Sequence, residues 1–192
     1  MNFYKVVVKI VSGILRVFIL LRFRGKENIP SEGAFLLCAN HRALHDPIII
    51  AAGCKRQLTF MGKDSLFKKP VLGWLIKALG AFPIRRGKGD AAAVMATLKI
   101  MKKGEATLIF PEGTRVKKEE RKQVNSGIVR LAIQCGVPIV PAYVTFNSVT
   151  YGKPISYDEY ADSVHDGDVM QSLADGLMDT IYSLGDKNEK NC

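Results

Sequence analysis

The stretch Ala34-Phe35-Leu36-Leu37-Cys38-Ala39-Asn40-His41-Arg42-Ala43-Leu44-His45-Asp46-Pro47-Ile48-Ile49-Ile50-Ala51-Ala52 reads as a strand, a polar turn and a helix in immediate succession. Ala34–Ala39 is an apolar run of strand length, and Asp46-Pro47 is a start signal for a helix that continues into Ala52. Proline is tolerated in a first helical turn, where its missing N–H costs nothing. The connecting turn places an imidazole, His41, five positions before a carboxylate, Asp46. These are the parts of a base-and-orienter pair that deprotonates a hydroxyl. Two plainer readings stay open: Asp46 as nothing more than an N-cap, and His41 as a hydrogen-bonded loop histidine.

The same alternation runs outward. Gln57–Met61 reads as a strand, Pro70–Leu79 as a helix stopped by Gly80, and Phe82–Ile84 as a strand. Asp90 caps a helix over Ala91–Lys103 that ends at Gly104, and Thr107–Phe110 is again a strand. Ser126–Cys135 reads as a helix with Gly136 as its stop, and Ile139–Thr145 as the next strand. This predicts an α/β fold: a single domain with a mixed, mostly parallel sheet flanked by helices. Beyond Tyr151 the pattern loosens until Val169, Leu173, Leu177, Ile181 and Leu184 mark one face of a terminal helix, with Lys187–Cys192 as a frayed tail. A second polar block, Phe110-Pro111-Glu112-Gly113-Thr114-Arg115, follows another short apolar run. Two loops therefore converge where two strands end, which suggests an enzyme acting on an anion. Within that block Gly113 permits close backbone approach, and Arg115 offers a planar fork suited to phosphate.

Four blocks stand in a set order: His41-x4-Asp46, Phe82-Pro83-Ile84-Arg85-Arg86, Phe110 to Arg115, and Val137-Pro138-Ile139-Val140-Pro141. Together they resemble the motifs of the glycerolipid acyltransferases typified by 1-acylglycerol-3-phosphate (lysophosphatidate) acyltransferase, over about residues 24 to 145. The resemblance implies that His41 takes the proton of a glycerol hydroxyl as its oxygen attacks an acyl thioester, with Asp46 holding the imidazole tautomer and stabilising its charged form. No covalent acyl-enzyme is involved. It assigns Arg86, Glu112, Gly113, Thr114 and Arg115 to the glycerol phosphate and adds Lys63, a lysine the family often carries between its first two motifs. Arg86, not Arg85, occupies the Ile-x-Arg position, and strand neighbours point to opposite faces, so one of the two enters the site. A carboxylate repels phosphate, so Glu112 is expected to position Arg86, Arg115 or a substrate hydroxyl; the alternative is a surface ion pair contributing little.

The implied reaction moves a fatty acyl group from acyl-CoA or acyl-acyl-carrier-protein to the free hydroxyl of 1-acylglycerol 3-phosphate. It yields phosphatidate for phospholipid biosynthesis at the cytoplasmic face of the cell membrane. The thioester is a co-substrate, and no further cofactor is implied. The same chemistry on another lysophospholipid or on glycerol 3-phosphate is the alternative, and a non-catalytic membrane-surface module stands behind both.

Other chemistries are less well served. His45 is a rival base, but as a direct neighbour of Asp46 its side chain should diverge from the carboxylate. His41-x3-His45 lacks a further ligand at a recognisable spacing for zinc. Gly80 to Lys88 does not have P-loop spacing, and Gly89 stands where Ser or Thr is required. There is no Gly-x-Ser-x-Gly elbow, and Cys38 beside His41 is the remaining nucleophile candidate. The four cysteines show no Cys-x2-Cys spacing, which fits a reducing cytosolic setting. Val137–Pro141 reads as scaffold, its prolines restricting the backbone.

At 192 residues and 47% hydrophobic, the chain suits one well-buried domain. The formal charge of +10 favours an acidic partner, and with 8% aromatics and no recognition motif nucleic acid ranks last. Tyr4–Leu21 is apolar but interrupted by Lys5, Lys9 and Arg16, so it falls short of the roughly 20 apolar residues of a spanning helix. At helical spacing Lys5, Lys9, Ser12 and Arg16 share one stripe, as in a helix lying in the membrane interface; a core helix is the alternative. Residues 1–23 are accordingly expected to be an amphipathic membrane-association helix, and residues 24–192 the acyltransferase domain.

Overall fold

Every residue of the strand Phe35–Ala39 is buried. A strand covered on both faces must be apolar at each position, which is why this segment shows no polar alternation. Phe35, Leu37 and Ala39 join one hydrophobic core, while Leu36 and Cys38 join a second. In this computed structural model, residues 20–84, 91–117, 124 and 126–189 are described, together with Val6 and Gly13.

Phe35–Ala39 is β2 of a seven-stranded sheet that also contains β1 (Arg22–Arg24), β3 (Leu58–Lys63), β4 (Ala81–Ile84), β5 (Ala106–Ile109), β6 (Ile139–Val144) and β7 (Ser148–Tyr151). The spatial order is β1-β7-β6-β2-β5-β3-β4. All neighbours pair in parallel except β6 and β7, which are antiparallel. The helices are α1 (Asp46–Gly53), the single turn α2 (Asp64–Phe67), α3 (Pro70–Ala78), α4 (Ala91–Lys102), α5 (Gly127–Cys135) and α6 (Gly167–Glu189). Ile49 and Ile50 of α1 and Leu79 after α3 fill the first core; Met101 of α4, Val129 of α5 and Leu177 and Ile181 of α6 fill the second. The sheet is thus mixed, mostly parallel and flanked by helices on both faces.

Parallel neighbours end on the same side of a sheet. The loops after β2, β3, β4, β5 and β6 therefore leave along one rim, where open α/β sheets hold their ligands. β7 returns antiparallel from β6, and β1 runs parallel to β7 with Arg22 opposite Ser148, so the start of β1 reaches the same rim. Asn40 locks the first loop there: its amide donates to Val144 O at 3.0 Å, and its carbonyl accepts from Val144 N at 2.7 Å.

Several elements depart from the sequence reading. Arg22–Arg24 is too short and too charged to announce itself, yet Phe23 packs on the first core while Arg22 and Arg24 face solvent. β7 was equally silent; its Tyr151 is buried and donates its hydroxyl to Ile50 O at 2.7 Å. Along α6 the buried stripe is Met170, Ala174, Leu177, Met178, Ile181 and Tyr182, with Val169, Leu173 and Leu184 only half-buried. The helix continues to Glu189 through part of the expected tail. Gly185 lets it close on β6, because a Cβ there would meet the Tyr143 ring at 2.5 Å. The prolines of Val137–Pro141 lead into and lie within the buried interior strand β6, as scaffold does. Arg22 and Phe23, expected to close the amphipathic helix over residues 1–23, instead belong to β1, because Phe23 packs on the first core and the segment pairs with β7; the part of that helix before Leu20, apart from Val6 and Gly13, the Asp90 cap, and Arg85 and Arg86 lie outside the described residues. Among the described residues no helix is long and apolar enough to cross a membrane.

Candidate active site

His41 and Asp46 meet. His41 Nδ1 lies 2.9 Å from Asp46 Oδ2, which also accepts the backbone N–H groups of Arg42 and Ala43, each at 2.7 Å. The carboxylate therefore organises the turn that precedes α1 and is not a cap: His45 occupies the N-cap position and Asp46 is the first helical residue. Asp46 is 2% exposed, while the His41 side chain keeps 18% of its surface open. A carboxylate only accepts, so Nδ1 carries the ring proton and the lone pair sits on Nε2. The ring is stacked on Phe110, centroid to centroid 4.0 Å with planes 20° apart. An imidazole held at one nitrogen and one face is a preorganised base.

The second loop grips the first through the main chain. Glu112, 3% exposed, accepts the His41 N–H at Oε2, 2.7 Å away, and Val116 N–H donates to His41 O at 2.8 Å. Tyr182 of α6 donates its hydroxyl to Glu112 Oε1 at 2.5 Å. Burial, and then the hydrogen bond and charge of Glu112, push the Tyr182 hydroxyl far above its usual range, so it remains a donor. The buried position of Glu112 rules out the surface ion pair considered from sequence. Among the described residues its two oxygens accept from the His41 backbone N–H and from the Tyr182 hydroxyl.

The other expected residues occupy the same rim. Gly113 has φ +66°, a conformation that favours glycine, and its N–H closes a turn onto Phe110 O at 2.9 Å. A Cβ there would meet open space, so conformation, not crowding, explains the glycine. Thr114 and Arg115 are exposed beyond it. Lys63 is the exposed last residue of β3 and pairs with Ile84, the last residue of β4. His45 diverges from Asp46, its ring set edge-on to Phe146 at 5.8 Å.

Sequence reasoning missed Tyr182 and the lock made by Asn40. The one available signal for Tyr182 was a tyrosine beside Ile181 on the apolar side of a helix, since a buried phenol needs a hydrogen-bond partner. Among the described residues no cluster of three or more metal-ligating side chains occurs. Cys38 is fully buried, which drives its thiol pKa far upward and removes it as a nucleophile; Cys54 is pushed up to about 11 for the same reason. Iodoacetamide at mildly alkaline pH is expected to leave both unmodified in the folded protein and to label them after denaturation. Peptide mass analysis reads this directly, and native labelling of Cys38 would contradict its placement.

The family model described as Acyltransferase matches residues 20–145. The chain is 31% identical over 139 residues to the 1-acyl-sn-glycerol-3-phosphate acyltransferase of Bacillus subtilis (strain 168), covering 70% of this chain and 69% of that protein. It is 30% identical over 139 residues to the lyso-ornithine lipid O-acyltransferase of Pseudomonas aeruginosa PAO1, covering 72% of this chain and 51% of that protein. Its fold is similar to the crystal structure of the 1-acyl-sn-glycerophosphate (LPA) acyltransferase PlsC from Thermotoga maritima, with a TM-score of 0.64, 22% identity and coverage of 91% and 79% of the two chains.

Proposed function

The chain belongs to the acyltransferase family, and on that premise we propose that it transfers a fatty acyl group from an acyl thioester to the free hydroxyl of 1-acylglycerol 3-phosphate, forming phosphatidate. What carries this reading is the His41–Asp46 pair, seated on a rim where the loop of Glu112 and Arg115 meets it. Nε2 of His41 takes the proton as the hydroxyl oxygen attacks the thioester carbonyl. Asp46 stabilises the resulting imidazolium. Collapse of the tetrahedral intermediate breaks the carbon–sulfur bond, and the imidazolium returns its proton to the departing thiolate. Arg86, Arg115 and Lys63 hold the glycerol phosphate, a guanidinium fork matching its oxygens. Gly113 and Thr114 shape the loop that presents Arg115. Glu112 acts on the substrate indirectly, by fixing the His41 main chain.

The donor is acyl-CoA or acyl-acyl-carrier-protein, and the protein works at the cytoplasmic face of the membrane. A second reading is favoured by the Pseudomonas relative, whose printed acceptor is a lyso-ornithine lipid: O-acylation of a lysolipid with another headgroup. Purified protein is to be given lysophosphatidate, lyso-ornithine lipid, another lysophospholipid and glycerol 3-phosphate in turn, with each donor. Phosphatidate is expected to be the fastest-formed product. Preference for a different acceptor would displace the first reading in favour of the second.

A further inference from the structure

We propose that a cleft on the β6–β7–β1 side of the His41 loop seats the nucleotide of the acyl donor, with Arg22, Arg24 and Arg42 holding the diphosphate and ribose phosphate of coenzyme A. The proposal rests on the acyl-transfer reading above and names its donor. Transfer without an acyl-enzyme requires both substrates to be held beside the base at once, so a donor site must adjoin His41 while the acceptor is bound. The sheet order provides two flanks. β2, which leads into the His41 loop, lies between β6 on one side and β5 on the other. Lys63 ends β3 and Arg115 lies in the loop after β5, so these cations, assigned to the glycerol phosphate, stand on the β5–β3 flank. That leaves the β6–β7–β1 flank for the second substrate.

The cleft there has a volume of about 640 Å³, within the range of small-molecule sites, and Arg22, Arg24, Arg42 and Tyr143 stand in its wall. It also takes in Ala43 and Asp46, so it abuts the turn that carries the base. Asp46, its one carboxylate among the described residues, is committed to His41 and to two main-chain N–H groups, which leaves the cleft cationic. The guanidinium of Arg42 lies 5.1 Å above the Tyr143 ring, which Tyr182 braces edge-on at 6.0 Å. Arg42 is thus presented on a packed aromatic platform. Arg22 and Arg24 alternate with Phe23 along β1: Phe23 packs on the first core, and the two exposed arginines share the other face of the strand. Their register is fixed by β7, with Arg22 opposite Ser148 and Arg24 opposite Thr150. Planar guanidinium forks set on a strand and on a ring match phosphoryl oxygens, and the apolar side chains of Val144 and Phe146 in the same wall give an adenine ring a surface to pack on. Charge alone does not define the site. A second basic cleft, lined by Lys26, Lys55, Arg56 and Lys153, lies where β1 and β7 end and β3 begins, across the sheet from the rim of His41. Its Arg56 is spent on Gly33 O and Gly104 O at 2.8 Å each, and a donor bound there would have the sheet between its thioester and the base.

The test measures binding apart from turnover. Desulfo-coenzyme A, which keeps the nucleotide and lacks the sulfur, is titrated into the full chain by calorimetry with no acceptor present. The native chain is expected to bind it, and adenosine 3′,5′-bisphosphate to compete with it. Arg22→Gln/Arg24→Gln is expected to weaken binding about tenfold, through lost charge-assisted bonds to phosphate. Both side chains are exposed, so this variant should keep the native thermal transition. Lys55→Gln/Lys153→Gln, at the far cleft, should bind as the native chain does. In turnover, Arg22→Gln/Arg24→Gln should raise the KM for acyl-CoA about tenfold and leave the KM for lysophosphatidate as it was. With acyl-pantetheine, a donor that has no nucleotide, the penalty should vanish. No binding of desulfo-coenzyme A by the native chain, or equal affinity in Arg22→Gln/Arg24→Gln, would overturn the proposal. So would a rise in the KM for lysophosphatidate in its place, which would make the cleft an acceptor site, or an equal loss with acyl-acyl-carrier-protein, which would make it a carrier-protein dock. Nucleotide binding that depends on the two arginines in a chain that forms no phosphatidate would uphold the cleft and count against the acceptor alone.

Discussion

Replacing His41 with alanine is expected to lower kcat roughly a thousandfold or more, the contribution of a positioned general base, while leaving the protein folded. The imidazole side chain touches Asp46 and Phe110, but the bonds that tie the loop down are made by main-chain atoms. His41 N–H to Glu112 and Val116 N–H to His41 O survive the substitution, as do the contacts of Asp46 with the N–H groups of Arg42 and Ala43. Loss of rate without loss of the thermal transition therefore isolates the ring. The comparison is His45→Ala, expected to retain the rate within a few-fold, because His45 packs on Phe146 away from the carboxylate that organises His41. Undiminished turnover in His41→Ala would remove the imidazole from the mechanism. The same loss in both variants would undo the assignment of His41 over its neighbour.

Glu112→Ala is expected to cost about 3 kcal/mol of stability and at least a hundredfold in kcat. The substitution leaves two buried donors, the His41 N–H and the Tyr182 hydroxyl, without their acceptor, and an orphaned buried donor costs about 1–3 kcal/mol. In a chain of this size that is a fall of roughly 10 °C in Tm. The kinetic signature separates two roles for this carboxylate. Glu112 contacts the His41 main chain at 2.7 Å, so Tyr182→Phe, which removes one of its bonds at a distance from substrate, should lower kcat several-fold and leave the KM for lysophosphatidate unchanged. A substrate-binding role for Glu112 gives the reverse pattern, with KM rising and kcat preserved. Steady-state kinetics on the two variants, alongside thermal unfolding, distinguish these outcomes.

Much of this is legible in the sequence. The strand at Ala34–Ala39 and the helix from Asp46 follow from an apolar run and a proline-marked helix start, and both form within a residue of their expected limits. Gly136, with φ +59°, ends α5 as its position after the apolar helix implied. The six-residue block from Phe110 and the His41–Asp46 spacing named the loops that matter. What escaped notice were elements whose stability is entirely borrowed. Arg22–Arg24 pairs only because β7 offers it an edge, and β7 exists because the chain doubles back from β6. No local propensity records the β1–β7 pairing, since the partner lies more than a hundred residues away.

By itself, the sequence determined the alternation of strands and helices and singled out the two loops and the His41–Asp46 pair, because these rest on periodicity, turn residues and the spacing of a histidine and a carboxylate within one loop. The tertiary structure alone decided that Glu112 faces inward to the His41 backbone, that Tyr182 closes over it from the last described helix, and that His45 packs edge-on against Phe146. Each of those relations joins residues distant in the chain through a parallel sheet whose strand order, β6-β2-β5, is set by the packing of both faces at once. Side-chain direction at such junctions depends on which strands become neighbours, and that is a property of the assembled sheet.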